Sequence, residues 1–258
     1  MKIFLLLICS LLVFPAAAQT IGEWPLPAGF QRMLQASGSF GAWLRNVPLK
    51  KTTTVYLFNG DKKRNQSAQV AVLDITTGKK DLQQCADAVM RLYAEHLYAN
   101  NKYGQIVFNA TDGTPINYSD WRKGWRWKLR GNKLLKLQVT SPCDTRACFE
   151  SYLETVFTYA GTISLKKQLQ PVRNISDIRP GDVFIEGGSP GHAVIVMDVA
   201  VNIHGDKRFL LAQSYMPAQD IHLLKNPSSA SAWYALPGST LRTPEWTFGN
   251  GGALMRFK

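Results

Sequence analysis

The stretch RPGDVFIEGGSPGHAVIVMDV, residues 179–199, has the pattern of two apolar β-strands joined by a glycine-rich loop. Pro180-Gly181-Asp182 predicts a turn into the first strand, and residues 187–191 predict the loop before the second. His192 opens the second strand, so its polar ring is expected at the mouth of an apolar segment. That position suits a catalytic base, whereas the alternative is a hydrogen-bonded core histidine.

The next segment, RFLLAQSYMP (residues 208–217), is apolar until Gln213 and Ser214. The intervening VNIHGDKR predicts a turn, so the two segments are expected to pair antiparallel. The Gln213 amide oxygen would then accept a hydrogen bond from Nδ1 of His192, while Ser214 faces the other way by strand alternation. Because a catalytic base is normally oriented by a third group, Gln213 is the candidate for that role.

Upstream, apolar residues recur at helical spacing from Asp81 to about Asn100. Asp81 is expected to cap this helix, with Gln84 three residues later in a capping-box pattern. Cys85 then lies near the N-terminus, where unpaired N–H groups and the helix dipole favour a thiolate and an oxyanion. The position predicts a lowered thiol pKa and a cysteine nucleophile.

A cysteine nucleophile needs a base, and the chain has four histidines, His96, His192, His204 and His222. His96 follows Cys85 on the same helix by about three turns, roughly 16 Å of rise, which is too far. His204 falls in the predicted turn and is expected in solvent. We therefore expect His192 to serve as the base.

Other segments predict further elements. TTTVYLFNGDKK, from Thr52 to Lys63, predicts a strand, with SAQVAVLDITTG as its hairpin partner. A second helix is expected from about Thr145 to Tyr159.

The N-terminus, MKIFLLLICSLLVFPAAAQ, has a charged start, a short apolar run and a small-residue cleavage site. This pattern predicts a secretory signal peptide over residues 1–18. Its apolar run of about 12 residues is shorter than the roughly 20 that span a bilayer. The sequence therefore predicts an exported protein, periplasmic or extracellular, with no transmembrane segment after signal cleavage.

Loss of the signal peptide removes Cys9 and leaves Cys85, Cys143 and Cys148. Cys143 and Cys148 are close in sequence and are candidates for a disulfide in an oxidising compartment. Cys85 would then be a leftover thiol, which in an exported protein is a candidate reactive group. The alternative is that all three thiols are reduced and packed.

The chain has a formal net charge of +12, which favours anionic surroundings such as cell-wall polymers, lipid surfaces or acidic substrates. The expected partner is peptidoglycan or another anionic cell-envelope polymer, with no nucleic acid. Residues 117–139 interleave Trp121, Trp125 and Trp127 with basic residues. This segment is either a glycan-binding surface that uses Trp121 and Trp125, or a plain hairpin with its tryptophans in the core.

RPGDVFIEGGSPGHAVIVMDV resembles the C-terminal half of NlpC-type and CHAP-type papain-like cysteine peptidases and amidases, whose cysteine starts an upstream helix. GSFGAWLRNVPL, DLQQCADAVMRL and LLAQSYMPAQDIHLLKNP extend a likeness to a bacterial exported family, domain of unknown function 4846. The resemblance implies an α+β, papain-like fold, with the cysteine at a helix N-terminus packed on an antiparallel sheet. Residues 19–258 would form one domain, with 19–80 as an N-terminal elaboration.

The resemblance implies a thiol hydrolase that cleaves amide bonds of cell-wall peptides with Cys85, His192 and Gln213. Arg91 would bind substrate carboxylates if it faces the cleft, although it can also pair with Asp87 and Glu95 on its own helix. The alternative function is an inactive module of the same fold that binds wall glycan or peptide. No cofactor and no metal site are expected, since no close-spaced His/Cys ligand pattern is present beyond Cys143 and Cys148.

Overall fold

The computed structural model describes residues 19–249 and 253–258 of the chain. The predicted signal peptide, residues 1–18, lies outside the described residues. Within them, no helix is both long enough and apolar enough to cross a membrane.

The described chain contains α-helices and β-strands in a mixed order. The helices are α1 (Phe40–Arg45), α2 (Cys85–Ala99), α3 (Tyr118–Arg122), α4 (Arg146–Tyr159) and α5 (Thr162–Gln168). The strands are β1 (Phe30–Arg32), β2 (Gln69–Val72), β3 (Val107–Asn109), β4 (Pro115–Asn117), β5 (Trp125–Arg130), β6 (Lys133–Gln138), β7 (Gln170–Pro171), β8 (Val183–Glu186), β9 (His192–Asn202), β10 (Lys207–Gln213), β11 (His222–Leu224), β12 (Tyr234–Ala235), β13 (Thr240–Arg242), β14 (Thr247–Gly249) and β15 (Ala253–Arg256).

The main sheet has the strand order β2-β11-β10-β9-β8-β15-β7, with β1 paired to β9 and β12 to β10. Its ladders are antiparallel, so the protein is α+β with an antiparallel sheet. The pairing predicted between the His192 strand and the following segment is confirmed: Lys207 lies opposite Val201, and Ala212 lies opposite Ile195.

Strand β9 lies at the centre of the molecule and is buried on both faces. Ala193, Ile195 and Met197 join the core that includes the apolar face of α2. Val194 and Val196 join a second core on the opposite face, with Phe209 and Phe248 among its members. Two covered faces explain why this strand is continuously apolar in sequence rather than alternating.

The hairpin predicted from Thr52 onward does not form. Residues 52–63 make only isolated bridges, such as Leu57 with Gln219, and β2 pairs with β11 instead. Residues 52–63 therefore lie outside the strands of the main sheet, because β2 takes the distant strand β11 as its partner.

Candidate active site

Cys85 is the first residue of α2, so the helix begins four residues later than predicted. Gln84 precedes it as N-cap, and the Gln84 N–H donates to Oδ2 of Asp87 at 3.0 Å. Asp81 has a different role: its carboxylate accepts a hydrogen bond from the Ala218 N–H at 2.7 Å. The later start places the thiol in the first turn, where the unpaired N–H groups of the helix are found.

The N-terminus of α2 meets the start of β9. The backbone N–H of Ala193, the residue after His192, faces the Cys85 sulfur. Ser214, at the end of β10, donates from its hydroxyl to the Gln83 carbonyl at 2.8 Å. These contacts fix the turn before Cys85 against the two strands that carry His192 and Gln213.

His192 is fully buried, and its Nε2 lies 2.8 Å from Oε1 of Gln213. The sequence places Gln213 correctly beside the imidazole but assigns the hydrogen bond to Nδ1, whereas the structure uses Nε2. Aromatic side chains enclose the ring, with the centroids of Tyr215 and Trp246 each 5.1 Å away. Burial among these rings shields the hydrogen bond from water.

Glu245, in the loop between β13 and β14, completes a chain of hydrogen bonds behind the imidazole. Its Oε2 accepts from Nε2 of Gln213 at 2.8 Å and from Nζ of Lys63 at 2.6 Å. A carboxylate accepts only, so the Gln213 amide nitrogen must face Glu245 and its oxygen must face His192. That oxygen requires a proton on Nε2, which leaves Nδ1 of His192 as the unprotonated, basic nitrogen.

Sequence reasoning missed Glu245 and Lys63. Neither belongs to a motif, and they are 32 and 150 residues from Gln213. Tertiary contacts between segments distant in sequence bring the two side chains to Gln213, since Glu245 lies in the loop of the separate β13-β14 sheet.

Nδ1 of His192 is buried and has no hydrogen-bond partner within the described residues. Cys85 and His192 are therefore neighbours through Ala193 but are not hydrogen-bonded to each other in this structure. Catalytic hydrogen bonds are often long before substrate binds and tighten in the complex. The arrangement supplies a thiol and a free imidazole nitrogen, and a direct hydrogen bond between them requires a rearrangement.

Burial controls the protonation of both groups. Burial, followed by the nearby Asp87 carboxyl, raises the pKa of Cys85 to about 11. Burial lowers the pKa of His192 to about 4, although the Gln213 hydrogen bond acts in the opposite direction. The predicted fall in the thiol pKa is wrong, because desolvation outweighs the helix N-terminus. At neutral pH the pair is a neutral thiol and a neutral imidazole.

Cys85 opens onto a cleft of about 350 Å³. One wall is the loop from Gly188 to Gly191, and another is the start of α5 at Thr162. Two acidic residues line this cleft, Asp81 and Asp87, and burial raises the pKa of the Asp87 carboxyl to about 8, so that it is mostly protonated at neutral pH. The strongly positive charge of the whole chain is thus not carried into the cleft.

The predicted substrate-binding residues lie outside this cleft. Arg91 is buried and pairs through Nε with Oε1 of Glu95 at 2.7 Å, so the helix ion pair replaces the proposed substrate contact. Trp121 is 5 % exposed and stacks on Trp127, which leaves no free face for a sugar. Trp125 is half-buried beneath Nζ of Lys136, 4.7 Å from its ring centroid.

Cys143 and Cys148 form a disulfide, and Cys85 is the free thiol of the described residues. In the same part of the chain, no group of three or more His, Cys, Asp or Glu side chains is arranged to hold a metal ion.

A family model described as domain of unknown function (4846) matches residues 22–256. The chain belongs to this family. No curated protein and no solved structure gives a significant match. The family description names no activity, so the function has to be argued from the site itself.

Proposed function

We propose that this protein is an exported thiol hydrolase, a peptidase or amidase of papain-like type, that cleaves amide bonds of cell-wall peptides. The observation that carries the proposal is the junction of α2 and β9. There the free thiol of Cys85, the first residue of α2, lies against Ala193. The residue before Ala193 is His192, which is hydrogen-bonded through its Nε2 to Gln213. A nucleophile, a base and an orienting group are the parts that acyl transfer needs; here Cys85 lines the cleft, while His192 and Gln213 are buried.

In the proposed mechanism, Nδ1 of His192 takes the proton of Cys85 as the sulfur attacks the amide carbonyl carbon. The backbone N–H of Cys85 stabilises the oxyanion, and the side chain of Gln84, which lines the cleft, is the candidate second donor. The C–N bond then breaks, and the leaving amine takes the proton from His192. Water, deprotonated by His192, hydrolyses the thioester and restores the thiol.

The raised pKa of Cys85 and the lowered pKa of His192 determine how the first step proceeds. A preformed thiolate–imidazolium pair is disfavoured in the buried site. Proton transfer therefore accompanies attack, with His192 acting as a general base in the transition state.

The inactive binding module is the second candidate function. It is favoured by the absence of a Cys85–His192 hydrogen bond within the described residues and by the burial of the thiol. In that case the cleft would hold a wall peptide without cleaving it.

Acyl trapping separates the two candidates. The protein is incubated with isolated wall peptides and with an activated ester, and the adduct is located by peptide mass mapping. The hydrolase predicts an acyl group on Cys85 in the parent, none in Cys85→Ala, and at least about a hundredfold slower acylation in His192→Ala. An unmodified Cys85 and intact peptides, with a peptide that still binds, would establish the binding module instead.

A further inference from the structure

Strands β5 and β6 form a two-stranded sheet separate from the main one, here called the basic hairpin (residues 125–138). One face of it is anchored, because Trp127 and Leu134, which lies one pair from the turn, are buried in the main core. The Leu134 N–H also donates to Oδ2 of Asp112 at 3.1 Å. The opposite face, which carries Lys128, Arg130 and Lys133, is exposed.

The basic hairpin contains five cations and no acidic residue. Two of the cations are engaged: Arg126 donates to the Trp121 carbonyl at 2.8 Å, and Lys136 pairs with Asp120 at 2.7 Å. The remaining three are exposed at the tip and have no ion-pair partner in the described part of the chain; they are Lys128, Arg130 and Lys133.

Apolar side chains are exposed among these cations. Leu129 is 57 % exposed and Leu135 is 38 % exposed. Leu129 pairs with Leu134 one position from the turn, and Leu135 pairs with Lys128 one position further back, so the two exposed leucines flank the tip on opposite faces of the hairpin. Exposing a leucine side chain to water is unfavourable in free energy. An apolar phase bordered by anions would bury the leucines and attract the cations at the same time.

We propose that the tip of the basic hairpin docks on an anionic phospholipid surface. Lys128, Arg130 and Lys133 contact the lipid phosphates, and the two leucines enter the boundary between headgroups and acyl chains. A polysaccharide offers the same anionic charge but no apolar phase, so the exposed leucines favour lipid as the partner.

Docking would also position the cleft. Asp112, which holds Leu134, directly follows Thr111, and Thr111 lines the Cys85 cleft. The hairpin is therefore tied to the rim of that cleft close to its own turn. A protein held by this tip keeps the cleft close to the membrane, whatever reaction the cleft supports.

The test measures how the full chain partitions onto sedimented vesicles. The vesicles contain phosphatidylcholine alone, or phosphatidylcholine with roughly 30 mol % of the anionic lipid phosphatidylglycerol. The tip variant is Lys128→Gln/Arg130→Gln/Lys133→Gln. Its control, Lys51→Gln/Lys79→Gln/Lys225→Gln, removes three other exposed lysines and the same net charge. The partition coefficient of the tip variant on anionic vesicles is expected to fall about a hundredfold, because each of the three cations contributes roughly a fivefold factor. The partition coefficient of the control variant is expected to fall much less.

The leucines discriminate lipid from soluble polyanion. Leu129→Ser/Leu135→Ser should lower vesicle partition about tenfold while leaving retention on dextran sulfate unchanged. Circular dichroism verifies that each variant is folded. Equal loss in the tip and control variants, equal binding to neutral and anionic vesicles, or no effect of the leucine substitutions would overturn the proposal.

Discussion

Cys85 experiences two opposing influences at the residue scale. The first turn of α2 offers unpaired N–H groups, and the Ala193 N–H adds another donor, both of which favour the thiolate. Burial and the neighbouring Asp87 carboxyl favour the thiol, and they dominate. In the proposed reaction a substrate in the cleft would change this balance, because the developing oxyanion would accept hydrogen bonds from these donors while the proton passes to His192.

The orientation of the Gln213 amide depends on Glu245, which makes Glu245 a positioning residue. Glu245→Gln replaces an obligate acceptor with a group that both donates and accepts, so the Gln213 amide can rotate. His192 then loses its preference for a proton on Nε2, and the population with basic Nδ1 falls. We expect the rate of Cys85 acylation to fall in proportion to the lost Nε2–H population, by about twofold for an even mixture of tautomers.

The ¹⁵N chemical shifts of His192 report this change without any substrate. The parent should show one tautomer with the proton on Nε2, and Glu245→Gln should show a mixture. Asn65→Ala is the control, since Asn65 contacts the other oxygen of Glu245 at 3.2 Å and does not touch Gln213. A single Nε2–H tautomer in Glu245→Gln would refute the positioning role.

At the scale of elements, the local sequence pattern predicts those strands and helices whose formation depends on neighbouring residues. The strands β8 to β10 and the helix α4 follow from apolar runs, turn residues and a capping threonine, whose Oγ1 accepts from the Cys148 N–H. The proximity of Cys85, His192 and Gln213 was predictable from strand order and the family resemblance.

The failures concern contacts that no local pattern encodes. The strand composition of residues 52–63 could not reveal that β2 would pair with β11. Glu245 lies in a loop whose sequence has no distinguishing feature, and only tertiary pairing brings it to Gln213. The thiol pKa was predicted in the wrong direction because a sequence shows the helix end but not the depth of burial.

The disulfide between Cys143 and Cys148 joins the loop that follows β6 to the first turn of α4. It closes a loop of six residues, for which chain entropy gives about 2 kcal/mol of stabilisation. Cys143→Ser/Cys148→Ser should lower the free energy of unfolding by that amount in urea titrations. The parent in reductant should fall to the same value.

Reductant should not destabilise the double variant further. Cys85→Ala is the matched control, because it removes the free thiol and keeps the bridge, so it should remain sensitive to reductant. If the parent were equally stable with and without reductant, the bridge would contribute nothing to the folded state.

At the scale of the whole molecule, the net positive charge of the chain lies outside the Cys85 cleft. A chain of net charge +12 has a cleft lined by the acidic residues Asp81 and Asp87 and by no lysine or arginine of the described residues. Positive charge at the hairpin tip is instead exposed to solvent. The proposed membrane docking and the proposed hydrolysis therefore use different surfaces, so the net charge gives no information about a substrate of the cleft.

Two imidazoles buried in neutral form should make the stability of the molecule decrease in acid, and the Asp87 carboxyl, whose pKa burial raises to about 8, acts in the opposite direction. Burial lowers the pKa of His192 to about 4, and burial together with the charge of Lys63 lowers that of His222 to about 3. Histidine in the unfolded chain titrates near 6.5, so between these values only the unfolded chain takes up the protons. Each histidine therefore makes stability fall as pH falls from about 6.5, with a slope of roughly 1.4 kcal/mol per pH unit near pH 5.

His222→Gln isolates one of these contributions. The variant can be less stable overall, because His222 Nδ1 lies 2.9 Å from the Asp220 carbonyl. The slope of the unfolding free energy between pH 4.5 and 6, roughly the window between the two pKa values, should nevertheless drop by about 1.4 kcal/mol per pH unit relative to the parent. His204→Gln, at an exposed turn, should leave the slope unchanged. Equal slopes in the parent and His222→Gln would mean that the buried imidazole takes up its proton without unfolding the sheet.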